Sequence, residues 1–234
     1  AVGSTGTIMF LIYGFVVGMT AGFTVLTAQK FGAGDMKSMR KTVVGAGVLS
    51  FIVGALLTVL FMVFMKPLLT LMNTPSDIFA DAYAYIMIVS GGILAQMLYN
   101  LLSSILRALG NSKLPLYFLI ISAVLNVFGD LFFVVVLKAG SNGCAVATVV
   151  SEALCCVFCM IYIKFKVPIL CLGKKWLVFD RSLLKKTISY GWASAMQQAT
   201  VQLGKIGIQA IINTMGVSVS AAFAVVNRID DFAY

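Results

Sequence analysis

The chain has 234 residues, of which 61% are hydrophobic and only 11% charged, and its mean hydropathy is +1.03. A soluble domain carries roughly 25% charged residues, so this composition excludes a soluble globular protein. It points to an all-α integral membrane protein, because the apolar stretches are long runs and not the short alternating segments of a membrane β-barrel. The net charge of +9 comes without a single His, which removes imidazole as a metal ligand or proton relay.

Six full membrane spans are expected along the chain, and a seventh that is cut short. The first, about residues 7–28, carries Gly14, Gly18 and Gly22, a repeated small-xxx-small spacing that lets two membrane helices approach closely. Tyr13, Thr20, Thr24 and Thr27 add a mildly polar stripe to the same helix. Gly32 and Gly34 end it. The second span, about 43–65, is almost wholly apolar and reads as lipid-facing. The next stretch, MKPLLTLMNTPSD, holds two prolines and reads as a turn. The third span, about 78–106, places Gln96, Asn100, Ser103 and Arg107 on one narrow face, at about 100° per residue. These suit helix packing and a helix end better than ligand binding.

The fourth span, Lys113 to Leu137, is nearly continuous in apolar character. Asn126 and Asp130 stand four residues apart within it and share one face, joined by Ser122 a turn earlier. A carboxylate at membrane depth is costly, by roughly 2.5–3.5 kcal/mol on insertion scales, and marks an ion or substrate path more often than lipid-facing surface. The competing reading is a structural carboxyl satisfied by its neighbours. The fifth span, about 144–163, has Thr148 and Glu152 one turn apart, with Glu152 near its start and therefore close to an interface. The stretch VPILCLGKKWLVFDRSLLKK then suits a segment lying at the interface, with Trp176 and its bases at headgroup level. In the sixth span, about 188–212, Ser194, Gln198, Gln202, Lys205, Gln209 and Asn213 fall within roughly 100° of one another. That pattern implies water or polar protein on one side, and an aqueous central cleft is the expected neighbour. Lys205 reads equally well as a cavity-lining residue and as half of a structural pair. The last piece, 217–234, holds Asn227, Arg228, Asp230 and Asp231.

Five cysteines occur, and Cys156 and Cys159 form a C-x-x-C. With no second pair and an apolar helix around them, they read as small packing residues. Thirteen Lys and Arg lie in the connections after odd-numbered spans, against two, Lys66 and Lys138, in the others. The base-rich side is therefore expected to be cytoplasmic. Residues 1–8 weakly resemble 222–229, an offset of 221 residues, and repeated halves are common in transporters. The chain is expected to be a fragment, cut at both ends.

The sequence resembles the multidrug and toxic compound extrusion family, the MATE transporters. The resemblance rests on GMTAGFTVLTAQKFGAGD, ILRALGNSKLPL, LNVFGD, NGCAVATVVSE, GWASAMQQATVQLGKIGIQAIINTMG and AAFAVVNRID, in that order. It implies a polytopic helical bundle running from the family's second helix into its eighth. One six-helix bundle is then nearly complete, lacking its first helix, over 1–166. A cytoplasmic interfacial linker follows over 167–187, and the start of a second bundle over 188–234. The resemblance also implies a secondary antiporter of the cytoplasmic membrane that exports organic cations or drugs against protons or sodium ions. It works with no other cofactor and no nucleic acid, and is monomeric when full length. In the family an Asn-x-x-x-Asp pair of the first bundle lies in the cation site, and here that pair is Asn126 and Asp130. Glu152, Gln198, Gln202, Lys205 and Gln209 are candidates for the transport path. Some members carry an acid on the seventh helix, where this chain reads QQATVQ. The alternatives are a lipid-linked oligosaccharide flippase of related architecture and a membrane structural subunit. An enzyme is not expected, since acids are sparse and no convergent catalytic constellation is visible.

Overall fold

Apolar runs with few helix breakers become long helices here, and glycines set their ends. The computed structural model describes residues 2–71, 76–170, 180–214, 223, 225 and 226. The helices are α1 (Val2–Gly32), α2 (Met36–Leu71), α3 (Ser76–Ala108), α4 (Lys113–Asp130), α5 (Gly140–Lys166) and α6 (Arg181–Thr214). A π-helical segment, Leu131–Val136, continues α4, and a 3₁₀ turn, Pro168–Leu170, follows α5. No strand occurs among the described residues.

The ends of α1 and α3 follow one pattern. Gly34 (φ +73°) and Gly110 (φ +83°) take the left-handed backbone that closes a helix. Past them, Asp35 N–H donates to Lys30 O and Asn111 N–H to Leu106 O, both at 3.0 Å, which satisfies carbonyls that a helix end leaves unpaired. Asp35 then starts α2, its carboxylate accepting from Ser38 N–H at 3.0 Å. These hydrogen bonds from Ser38, with Lys30 nearby, hold the Asp35 carboxyl below its usual range. The contribution of that cap is therefore complete above the ordinary carboxylate pKa and fades as pH falls through the lowered value.

Five described helices are long and apolar enough to cross a membrane: α1 over Leu11–Gly32, α2 over Met36–Pro67, α3 over Phe79–Ala108, α4 with its extension over Lys113–Val136, and α5 over Gly140–Lys166. The sixth expected span is a helix of sufficient length, but its polar stripe keeps its composition below that level. Helix α3 sits at the centre, packed against α1, α2 and α5, with Ile86, Ile93 and Met97 wholly buried. Helices α2 and α4 are peripheral. Phe51, Leu56, Val63 and Phe64 of α2, and Leu119, Val127 and Phe128 of α4, are all exposed. An exposed apolar surface of this kind suits lipid, where only helices with internally satisfied backbones are tolerated.

Three expectations change. Helix α2 does not stop at the first proline of the predicted turn but passes through Pro67 to Leu71; proline lacks the N–H that would have bonded Val63 O. Helix α5 begins at Gly140, earlier than expected, so Glu152 is the thirteenth of its 27 residues and lies at mid-span, not near an interface. Helix α6 starts at Arg181, inside the predicted linker 167–187, where the Asp180 carboxylate caps it by accepting from Ser182 and Leu183 N–H at 3.0 and 3.3 Å. Trp176 lies outside the described residues, as do Asn227, Arg228, Asp230 and Asp231, and of the two matching segments Ala1 and most of 222–229.

The broadest helix–helix contact is between α1 and α6, and the repeated glycines create it. A Cβ on Gly18 would stand 2.7 Å from Ser194 O and 2.8 Å from Gln198 Cγ. One on Gly14 would stand 2.9 Å from Gln202 Cγ, and one on Gly22 would meet Tyr190 O and, at 2.6 Å, Gly191 Cα. Backbone atoms cannot move aside as a flexible side chain does. Gly22→Leu is therefore expected to destabilise the full-length protein by about 1–3 kcal/mol, read as a lower Tm in detergent. Gly32→Ala, where nothing lies within 4 Å, should leave Tm nearly unchanged; equal Tm values for the two variants would contradict this packing.

Candidate ion-coupling site

The site is built by two antiparallel helices in close contact. On α5, Gly143, Ala147, Ser151 and Cys155 recur every four residues and are all buried, forming a flat stripe of small side chains. Against it, a Cβ on Gly129 of α4 would come within 2.9 Å of Ala147 Cβ, and one on Gly143 within 3.0 Å of Phe133 Cβ. Cys155 Sγ–H donates to Phe118 O at 3.5 Å further along the pair. The adjoining stripe of α5 carries Cys144, Thr148 and Glu152, and the facing stripe of α4 carries Ser122, Asn126 and Asp130.

Contacts along the pair fix the register. Asn126 Nδ2–H donates to Thr148 Oγ1 at 3.2 Å, and that hydroxyl donates to Cys144 O at 2.9 Å. The Cys144 thiol neighbours the Asp130 carboxylate. Each step of four residues down α4 thus matches a step of four up α5, and the same register brings Glu152 level with Ser122. Two tyrosines close the site from other helices: Tyr85 of α3 is in electrostatic reach of Asp130 and Cys144, and Tyr13 of α1 of Glu152.

Asp130 stands where the α-helix widens into the π-helical segment. Its Oδ1 is shielded from solvent and has no hydrogen-bond partner among the described residues, and Asn142 Oδ1 at the start of α5 is in the same condition. Neither Asp130 nor Glu152 pairs with a described Lys or Arg; the pair that does form, Lys30–Asp35 at 3.5 Å, lies in the α1–α2 connection. Oxygens left unpaired at depth are costly, and such groups suit a proton or a hard monocation, which is coordinated by oxygen. The oxygens of Asp130, Asn126 and Thr148 would be the ones to hold it.

A model of the MatE family matches residues 1–132, more than half of the chain. The chain belongs to the MatE family. Its relatives include the probable multidrug resistance protein YoeA of Bacillus subtilis, 29% identical over 99% of this chain and 52% of that protein. The probable multidrug resistance protein NorM of Thermotoga maritima is 24% identical over 64% of this chain and 33% of its own length. Among solved structures, an outward-facing multidrug resistance MATE family transporter of the MOP superfamily superposes with a TM-score of 0.88 at 22% identity, over 99% of this chain and 52% of that one. Its inward-facing counterpart gives 0.81, with 94% and 50% covered. The chain spans about half the length of the curated relatives YoeA and YpnP, both from Bacillus subtilis. The family is one of membrane transporters, not of enzymes.

Within this MatE bundle the predicted site residues fall into separate places. Asn126, Asp130 and Glu152 come together between α4 and α5. Gln198 and Gln202 lie elsewhere, over the glycine stripe of α1. Lys205 is exposed and Gln209 has its side chain outside the described residues. Thr148 and Tyr13 were visible in the sequence as polar residues but carried no role there. Thr148 shares the four-residue spacing with Glu152 that singled out Asn126 and Asp130. Tyr85 and Cys144 gave no signal, because only the fold brings them to Asp130. Cys155, Cys156 and Cys159 are free and buried, in keeping with packing.

Thr148→Val keeps the side-chain shape and removes the acceptor for Asn126. It is expected to lower the stability of the full-length protein by about 0.6–2 kcal/mol, the range for hydrogen bonds between membrane helices. Thr148→Ser should restore it. Wild-type thermal stability for Thr148→Val would show that the bond does not join α4 to α5.

Proposed function

We propose that the protein is a secondary antiporter of the cytoplasmic membrane, exporting drug-like organic cations in exchange for protons or sodium ions, with Asp130 as the coupling carboxylate and Asn126 beside it. The observation that carries this reading is the unpaired, solvent-shielded Asp130 Oδ1 at membrane depth, next to an amide and a hydroxyl already joined to each other. The relatives, probable multidrug resistance proteins among them, support the substrate class. The base-rich ends of α1, α3 and α5 support a cytoplasmic orientation for that side.

The chemistry follows from the position of the group. An ionised carboxylate in a low-dielectric site needs a compensating cation or a proton. When it holds one, α4 and α5 can pack with the site closed; when it is bare, it needs water, which favours an open site. An ion that binds the two states with different affinity shifts the balance between them, and alternating access requires such a bias. Asn126 suits both forms, since its amide donates to the charged carboxylate and its carbonyl accepts from the neutral acid. Gln198 and Gln202, where α6 meets α1, and Lys205 and Gln209 further along α6 remain candidates for the substrate path, and the working unit is proposed to be a monomer in the bilayer.

In the full-length protein reconstituted in vesicles, Asp130→Asn is expected to insert and fold normally, yet to lose export driven by an imposed proton or sodium gradient by at least about tenfold, the factor that 1.4 kcal/mol of lost coupling would give. Wild-type export from that variant at matched protein density would eliminate the coupling role.

A further inference from the structure

The second acid of the α4–α5 pair is not accounted for by the Asp130 site. Glu152 is the sole Glu of the chain and stands at the midpoint of α5. The register set by Asn126–Thr148 and Cys144–Asp130 places it eight residues further along, about 12 Å deeper in the membrane at 1.5 Å per residue. It is half-buried and forms no ion pair and no hydrogen bond among the described residues. A carboxylate retained only to join helices would hold a donor or a base.

The groups around it are few and can be named by element. From α1 comes Tyr13 and from α4 Ser122. From α5 itself come Cys155 one turn on and Cys144 two turns back, the latter beside Asp130. From α3, Tyr85 faces Asp130 and Cys144, while Tyr99 faces Cys155, Cys159 and Arg107. The π-helical segment and the 3₁₀ turn present only apolar residues and a proline. No base among these reaches Glu152, since Arg107 acts on Tyr99 near the end of α3. The two carboxylates stand on either side of the Asn126–Thr148 bond, each one turn from it. Asp130 has the Cys144 thiol and the Tyr85 phenol about it, and Glu152 has the Ser122 hydroxyl at its level and the Tyr13 phenol within reach. What separates them is depth: Glu152 is nearer mid-membrane, where a charge is the more costly and a neutral acid that donates or accepts one hydrogen bond is favoured.

We propose that Glu152 is a second, separate ion-binding group of this bundle, a mid-membrane carboxyl that takes up a proton while Asp130 binds the other coupling ion. The step is simple protonation: a carboxylate oxygen of Glu152 accepts H⁺ from water that reaches the cleft, and returns it when the site reopens. Between the two acids, Asn126 and Thr148 form a hydrogen-bonded bridge, so the pair makes a polar ladder along α4 and α5 and not one isolated site. The coupling consequence rests on the antiporter reading above; the protonation itself does not.

The test uses the full-length protein in lipid nanodiscs and infrared spectroscopy of protonated carboxyl groups at neutral pH. A carboxylic-acid band is expected in the wild type. It should be absent in Glu152→Gln, shifted in Glu152→Asp and retained in Asp130→Asn. In vesicles, Glu152→Gln should export with one fewer proton per substrate. A wild type without the band, or a band unchanged in Glu152→Gln, overturns the proposal. Should Glu152→Gln fail to fold, an unshifted band in Glu152→Asp overturns it equally. Normal export by Asp130→Asn would defeat the antiporter reading of that residue while leaving the Glu152 band as expected, so the two failures are told apart.

Discussion

The close approach of α4 and α5 is the constraint on which the site depends. Gly129 over Ala147 brings the backbones together, and that spacing allows Asn126 to reach Thr148. With this one bond in place, the remaining polar residues of both helices have no freedom of level: Asp130 meets Cys144, and Glu152 falls opposite Ser122. In lipid there is no hydrophobic force to press helices together, so small-residue packing and such bonds must do it. The polar ladder is therefore both the adhesive of the pair and its functional surface. Losing its central bond would loosen the helices and misplace the acids together.

A second contact of the same physical kind joins α1 to α6. Here, too, glycines remove side chains from one helix so that the backbone of the other can enter. The polar residues of α6 that come to rest there, Ser194, Gln198 and Gln202, lie over Gly14 and Gly18. Two glycine-dependent seams thus flank the central α3, one holding the acids and one holding the amides. The π-helical segment after Asp130 adds a third feature, because such turns are rare and occur frequently at functional sites.

Much of this was legible in the sequence because membrane helices announce themselves by length and by what they exclude. The spans, the Asn126–Asp130 face and the close-packing role of the α1 glycines all follow from spacing along one helix. What was not legible depends on pairing between helices. The partner of the glycine stripe could have been any helix. Glu152 was read near an interface because the polar residues before Cys144 look like a loop; in the structure Gly140–Asn142 are already helical and push Glu152 to mid-span. The continuation of α2 through Pro67 was missed for a related reason, since proline marks a helix end in water more reliably than in lipid. Tyr13 and Tyr85 were invisible as site residues because they stand on other helices, and spacing along one helix does not say which helix it packs against.

The register between α4 and α5 carries the whole account, and cysteine cross-linking measures it directly. In the full-length protein with its native cysteines replaced, Asn126→Cys combined with Thr148→Cys should form a disulfide readily under mild oxidation, since such bonds need Cα atoms roughly 4.4–6.8 Å apart. Asn126→Cys combined with Glu152→Cys, one turn out of register, should not. Faster cross-linking of the second pair than the first would place both acids on different levels from those described, and would contradict the ladder.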